Sequence, residues 1–60
     1  MKIYELNKTE RFKMVIVDET LYGTFYGMDG MFAKVIFDGY SQLEYLHCST
    51  EVELDVPSIF

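Results

Sequence analysis

The sequence has little cysteine, little basic charge and no long apolar run. Its 60 residues include a single cysteine, Cys48, and a single histidine. One cysteine excludes a disulfide framework and is typical of a reducing, cytoplasmic compartment. One His and one Cys are too few for a zinc or iron site, which needs three or four ligands. No apolar run reaches the length of a signal peptide or a membrane span. We expect a cytoplasmic protein with no cofactor, no metal centre and no membrane partner.

Basic residues are outnumbered by acidic ones, five to ten, which gives a net charge of −5. This balance argues against a broad basic surface that binds duplex phosphates. The charges are also separated along the chain, with most bases near the start and an acidic group near the end: Lys2, Lys8, Arg11 and Lys13, against Glu51, Glu53 and Asp55. An assembly of copies could therefore have one basic and one acidic side.

The chain is short for its apolar content. Half of the residues are apolar and ten are aromatic, five Phe and five Tyr. We interpret residues 1–60 as one domain, and a domain of this size buries only about 60% of the surface that its unfolded chain exposes. Some apolar surface is therefore expected to be covered by further copies.

The segment 21–38 organises the chain. Two aromatic runs flank Asp29-Gly30, and Asp-Gly in this setting predicts a hairpin whose two central residues both have positive φ. Gly23 and Gly27 share one face of the incoming strand, which predicts a bend or a close approach by another part of the chain.

The rest of the chain predicts further strands. The β-branched run 12–17 suggests a strand buried on both faces. A second Asp-Gly turn leads into a strand over 40–47, and a tight connection at 48–50 follows. Residues 2–6 fit either a short helix or an edge strand.

The last predicted strand covers 51–56, where apolar and acidic residues alternate. The alternation places Val52, Leu54 and Val56 inward, and Pro57 ends the strand because it cannot donate to a ladder. Five strands joined by short turns predict an all-β fold: a small, strongly bent five-stranded antiparallel barrel, with a possible short N-terminal helix or strand.

Two motifs resemble the Sm and Sm-like (LSm) family, which includes the Hfq-type RNA-binding proteins. Leu21-x-Gly23-x-Phe25-x-Gly27-Met28-Asp29 resembles the first Sm motif, and Tyr45-Leu46-His47 resembles the Tyr-Lys-His stretch of the Hfq type. The resemblance spans roughly residues 12–56 and is closest to a minimal bacterial or phage-type member. It implies an SH3-like barrel in a ring of roughly five to seven copies. In such rings the fourth strand of one subunit pairs with the fifth strand of the next, and single-stranded RNA binds at loops around the pore.

The sequence departs from the family at the base-reading positions. The family's Asp-x-x-Met-Asn is replaced by Asp29-Gly30-Met31-Phe32-Ala33, which lacks the Asn, and the Lys of Tyr-Lys-His is Leu46. The resemblance therefore favours a fold and an assembly over any particular base preference.

Two registers are open for the nucleotide site. Alignment with the family places Met31 at the stacking position, whereas strand alternation points Phe32 and Lys34 to the pore. We prefer the second, in which Phe32 stacks a base and Lys34 reaches a phosphate. The resemblance gives Asp29 a loop-supporting role and brings two fourth-strand residues to the same loop. The candidate nucleic-acid site is Asp29, Met31, Phe32, Lys34, Tyr45 and His47.

These residues also have structural explanations. Phe32 beside a turn is commonly a core or interface residue, Lys34 can extend to water, and Asp29 suits the turn itself. Neighbours in a strand point to opposite faces, so His47 and Cys48 are not expected to form a base and nucleophile. No Walker-type loop occurs either, and we expect no enzyme.

Two functions remain open. The first is a homo-oligomeric Sm-like ring that binds single-stranded nucleic acid, RNA before DNA, in RNA metabolism or processing. The alternative is an SH3-like protein-interaction module without nucleic-acid binding, which the acidic charge favours.

Overall fold

The computed structural model describes residues 1–55, which form one antiparallel sheet of five strands. A 3-10 helix precedes the strands: Ile3–Glu5, then β1 (Arg11–Ile16), β2 (Glu19–Asp29), β3 (Phe32–Phe37), β4 (Glu44–His47) and β5 (Glu53–Leu54). The prediction of an all-β, five-stranded antiparallel fold is confirmed. The strand order is β4-β3-β2-β1-β5, so the sheet is not closed into a barrel and β4 and β5 are its edges. Of the two N-terminal alternatives, the short helix is the one present.

The core lies on one face of the sheet, beneath the N-terminal helix. Its buried members come from the helix region, from three strands and from the segment before β5: Ile3, Leu6, Phe12, Phe25, Ala33, Val35 and Val52. Main-chain hydrogen bonds hold the N-terminal segment in place, since Ile3 N–H donates to Thr50 at 2.8 Å and Val52 N–H donates to Met1 at 2.9 Å. No helix within residues 1–55 is long and apolar enough to cross a membrane.

The glycines of β2 act as the sequence predicted. Gly23 pairs with Phe12, and a Cβ on Gly23 would lie 2.9 Å from the Phe12 ring, so glycine permits this close approach. Further along, the β2–β3 register shifts between Phe25 and Met28. Gly27 in that interval has a φ of 110°, which identifies a β-bulge that bends the strand.

The β2–β3 turn differs from its prediction by one residue. Asp29 pairs with Phe32, so the two central residues are Gly30 and Met31 rather than Asp29 and Gly30. Gly30 has a φ of 63°, and neither Asp29 nor Met31 has a positive φ. Positive φ at the first central residue alone, with Gly there, matches a type II′ turn. Asp29 therefore remains in the extended strand.

β1 and β4 also differ from their predictions. Phe12 is buried, but Val15 is exposed and Val17, in the turn after β1, is 89% exposed. The prediction of a strand buried on both faces is wrong, because no second layer formed by residues 1–55 covers the outer face. β4 spans Glu44–His47 rather than 40–47, and an irregular segment follows the turn at Gly39, where φ is 87°.

β5 is shorter than predicted. Val52 is buried as expected, but Leu54 is 40% exposed. Leu54 lies opposite the buried Phe12 and therefore faces inward as predicted, but it stays partly exposed because β5 is a two-residue edge strand that pairs only with β1 among the described residues. The predictions for Val56 and Pro57 lie outside the described residues.

Charges from the two ends of the chain meet within it. Lys2 lies 2.6 Å from Glu51, and the Met1 ammonium is 3.2 Å from the same carboxylate. Arg11 contacts Asp38 at 2.5 Å and Asp55 at 3.5 Å. The prediction of separate basic and acidic sides is therefore wrong for Lys2 and Arg11.

Candidate nucleic-acid interface

Strand register brings five of the six predicted site residues together. Across β3 and β4, Phe32 lies opposite His47 and Lys34 lies opposite Tyr45. Across β2 and β3, Asp29 lies opposite Phe32. Asp29, Phe32 and His47 thus form one row across three strands, which we call the Phe32 row, and Lys34 and Tyr45 form the next row.

The hydrogen-bonding pattern brings the side chains of Phe32 and His47 close. Cys48 N–H donates to the Met31 carbonyl at 2.9 Å, and in an antiparallel ladder hydrogen-bonded and non-hydrogen-bonded pairs alternate. Phe32–His47 is therefore a non-hydrogen-bonded pair, the type with the shorter Cα separation of about 4.5 Å. The Phe32 and His47 ring centroids are 6.0 Å apart with the planes at 90°, an edge-to-face contact.

The site lies on the outer face of the sheet. Ala33 and Val35 are fully buried on the inner face, so alternation places Phe32 and Lys34 outward. Phe32 is 49% exposed and Tyr45 is 53% exposed, whereas Lys34 is half-buried. This arrangement agrees with the register preferred from the strand alternation.

Met31 lies beside the Phe32 row rather than within it. It is the second central residue of the β2–β3 turn, and its side chain is exposed. Its carbonyl accepts the Cys48 N–H, which ties this turn to the turn after β4. The two turns that flank the row are therefore held together by the main chain.

Ser49 orients His47, a role that sequence reasoning missed. Ser49 N–H donates to His47 Nδ1 at 3.2 Å, and the Ser49 hydroxyl lies 2.8 Å from the same nitrogen. A backbone N–H can only donate, so Nδ1 is the acceptor and the hydrogen of the neutral ring lies on Nε2. The available signal was a serine two residues after the histidine, in a predicted turn.

Cys48 lies closer to the His47 ring than predicted. β4 ends at His47, so Cys48 belongs to the turn, and its Sγ is 3.9 Å from His47 Nδ1. The expectation that the two side chains point apart applies to a continuous strand, and β4 ends between them. Nδ1 already accepts hydrogen bonds from Ser49, which leaves it little capacity to accept a proton from the thiol.

Asp29 is exposed at the end of β2. Among residues 1–55, its carboxylate forms no hydrogen bond or ion pair, so the loop-supporting bond implied by the family resemblance is not present there. An ionised carboxylate is an acceptor only. Asp29 therefore adds a free acceptor to one end of the Phe32 row.

The candidate site is a surface rather than a cavity. A groove of about 250 Å³ does exist in the molecule, but at the β1–β5 side, where it is lined by Met1, Lys13, Val15, Glu51, Val52 and Glu53. It contains no predicted site residue. An exposed surface suits single-stranded nucleic acid, because bases stack on aromatic rings without needing an enclosed pocket.

No protein-family model, curated protein or solved structure matches this chain. The candidate site therefore depends on the geometry described above and on the motif residues in β2 and β4.

Proposed function

We propose that this chain is a subunit of a homo-oligomeric, Sm-like ring that binds single-stranded nucleic acid, RNA before DNA, and acts in RNA metabolism or processing. The main support is the Phe32 row and its neighbours Lys34 and Tyr45, which combine exposed aromatic rings with hydrogen-bonding groups and a positively charged lysine. Such a set is typical of surfaces on which single strands stack.

The chemistry of each group supports this use. The exposed ring of Phe32 offers a surface for a base, and base–aromatic stacking contributes about 1 to 3 kcal/mol per base. The Lys34 ammonium can contact a phosphate while its alkyl chain packs beside Tyr45. Each phosphate contact adds a slope of about −0.7 to the logarithmic salt dependence for single strands. Because Lys34 is the one basic side chain that each copy contributes to the site, we expect only a modest salt dependence from each subunit.

Two open edges support the assembly. β4 and β5 lie at opposite edges of the sheet, and an open edge presents unpaired main-chain groups that recruit another strand. From the ladder pattern, the N–H groups of Tyr45 and His47 point away from β3. Pairing β4 of one copy with β5 of the next would use both edges and close a ring. Repeating one weak site around an axis also gives avidity along a strand.

Fluorescence anisotropy with labelled oligo-U and oligo-A tests the proposal. We expect Phe32→Ala to weaken binding by roughly 5- to 150-fold, the equivalent of one lost stacking contact. Tyr40→Ala is the matched control, because Tyr40 is an exposed aromatic residue in the β3–β4 connection, away from the row. Its binding should equal that of the unaltered protein.

Two outcomes would count against the proposal. Equal binding by Phe32→Ala and the unaltered protein would reject stacking on Phe32. If no single strand bound at all, the SH3-like protein-interaction module would be preferred, which the net charge of −5 and the exposed apolar residues Val15 and Val17 favour.

A further inference from the structure

The Phe32 row carries an acceptor at one end and a donor at the other. Phe32 occupies the middle strand of the row, with Asp29 across on β2 and His47 across on β4. Directly opposed residues on neighbouring strands have Cβ atoms about 4.5 to 5.5 Å apart, so both polar side chains can reach the edges of a base stacked on Phe32.

The hydrogen-bonding role of each end is fixed. The Asp29 carboxylate can only accept, and it is exposed and unpaired among residues 1–55. The His47 ring accepts at Nδ1 from Ser49, so its Nε2–H is left to donate. The row therefore requires a base with donors at one side and acceptors at the other.

We infer that the Phe32 row selects guanine, an inference that rests on the proposed single-strand binding and adds the base that the site prefers. Guanine carries two adjacent donors, N1–H and the 2-amino group, and carries its acceptors O6 and N7 on another edge. Its donors can form a bidentate pair with the Asp29 carboxylate while His47 Nε2–H donates to O6 or N7.

The other bases match the row less well. Adenine and cytosine each offer the carboxylate a single amino group. Uracil offers only N3–H, flanked by two carbonyl oxygens that repel a carboxylate. The bidentate pair with Asp29 accounts for most of the discrimination, and the other bases cannot form it. We therefore expect guanine to bind most tightly and uracil most weakly.

Anisotropy titrations with oligo-U strands of about ten nucleotides test the inference. Each strand carries one central substitution by guanine, adenine, cytosine or hypoxanthine (the base of inosine), and hypoxanthine is guanine without the 2-amino group. We expect the guanine strand to bind at least about 5-fold more tightly than oligo-U, and hypoxanthine to lose most of this gain.

Matched variants locate the discrimination. Asp29→Asn replaces the carboxylate by an amide of the same shape and should reduce guanine binding to the level of adenine, with the adenine strand unchanged. Asp18→Asn is the control, because Asp18 is an exposed carboxylate in the β1–β2 turn with a φ of 74°, which Asn tolerates. It should retain the guanine preference.

The possible failures are distinguishable. Equal binding of all the strands, or a preference for uracil, would overturn guanine selection and leave single-strand binding intact. Failure of every strand to bind would overturn the proposed function, and guanine selection with it.

Discussion

Aromatic residues lie on both faces of this sheet, closely packed on the inner face and partly exposed on the outer face. On the inner face, Phe12 is fully buried, packs edge-on against Phe37 with centroids 6.0 Å apart, and fits over Gly23. On the outer face, Phe32 and Tyr45 are about half exposed. The inner rings are held by close packing, whereas the outer rings retain surface that a ligand can cover. The inner aromatic residues therefore determine stability, and the outer ones are available for binding.

The largest expected effect on stability comes from removing an aromatic ring from the inner face rather than from the outer face. Phe12→Ala should lower the free energy of unfolding by about 3 to 5 kcal/mol, because it removes apolar contacts and leaves a cavity. Phe32→Ala should lower it by less than about 1 kcal/mol. Urea denaturation followed by circular dichroism measures the free energy of unfolding of both variants. If Phe12→Ala does not fold, Phe12→Leu can be measured instead and should give a smaller loss. Equal losses for Phe12→Ala and Phe32→Ala would contradict the division between the faces.

Much of this division could be predicted from the sequence. Alternation along 31–37 correctly placed Ala33 and Val35 inward and Phe32 and Lys34 outward. Side chains alternate between the two faces at every residue of a strand. The predicted faces are therefore correct even though the turn lies one residue away from its predicted position.

Other features depend on tertiary contacts that a local pattern does not contain. The exposure of Val15 and Leu54 follows from an open outer face and an edge position, neither of which is encoded in strand periodicity. The hydrogen bond from Ser49 to His47 needs the chain to turn directly after β4. The Arg11–Asp38 pair joins residues 27 positions apart and requires β1, β2 and the β3–β4 connection to be assembled first.

A smaller effect on stability is expected from the ion pair between Arg11 and Asp38 on the outer face. The Arg11 guanidinium donates to both Asp38 oxygens, which holds the pKa of that carboxyl below its ordinary value and raises the pKa of Arg11. The folded pKa of Asp38 is lowered from an unfolded value of about 3.9. Its stabilising contribution is therefore fully present above that pH and is lost as the pH falls through the folded value.

Arg11→Met should reduce this acid dependence. We expect the unaltered protein to lose more stability than the variant between about pH 5 and pH 3, as measured by urea midpoints at each pH. The difference should be small, because both side chains are partly exposed and solvent screens the pair. Identical pH profiles for the two proteins would show that the pair contributes nothing to the outer face.

The molar mass in solution, measured by multi-angle light scattering at micromolar concentration, tests the central claim most directly. The two open edges and the exposed outer face predict a closed oligomer, with one mass, a whole multiple of the chain mass, over a range of concentrations. The mass of a single chain under these conditions would contradict the ring.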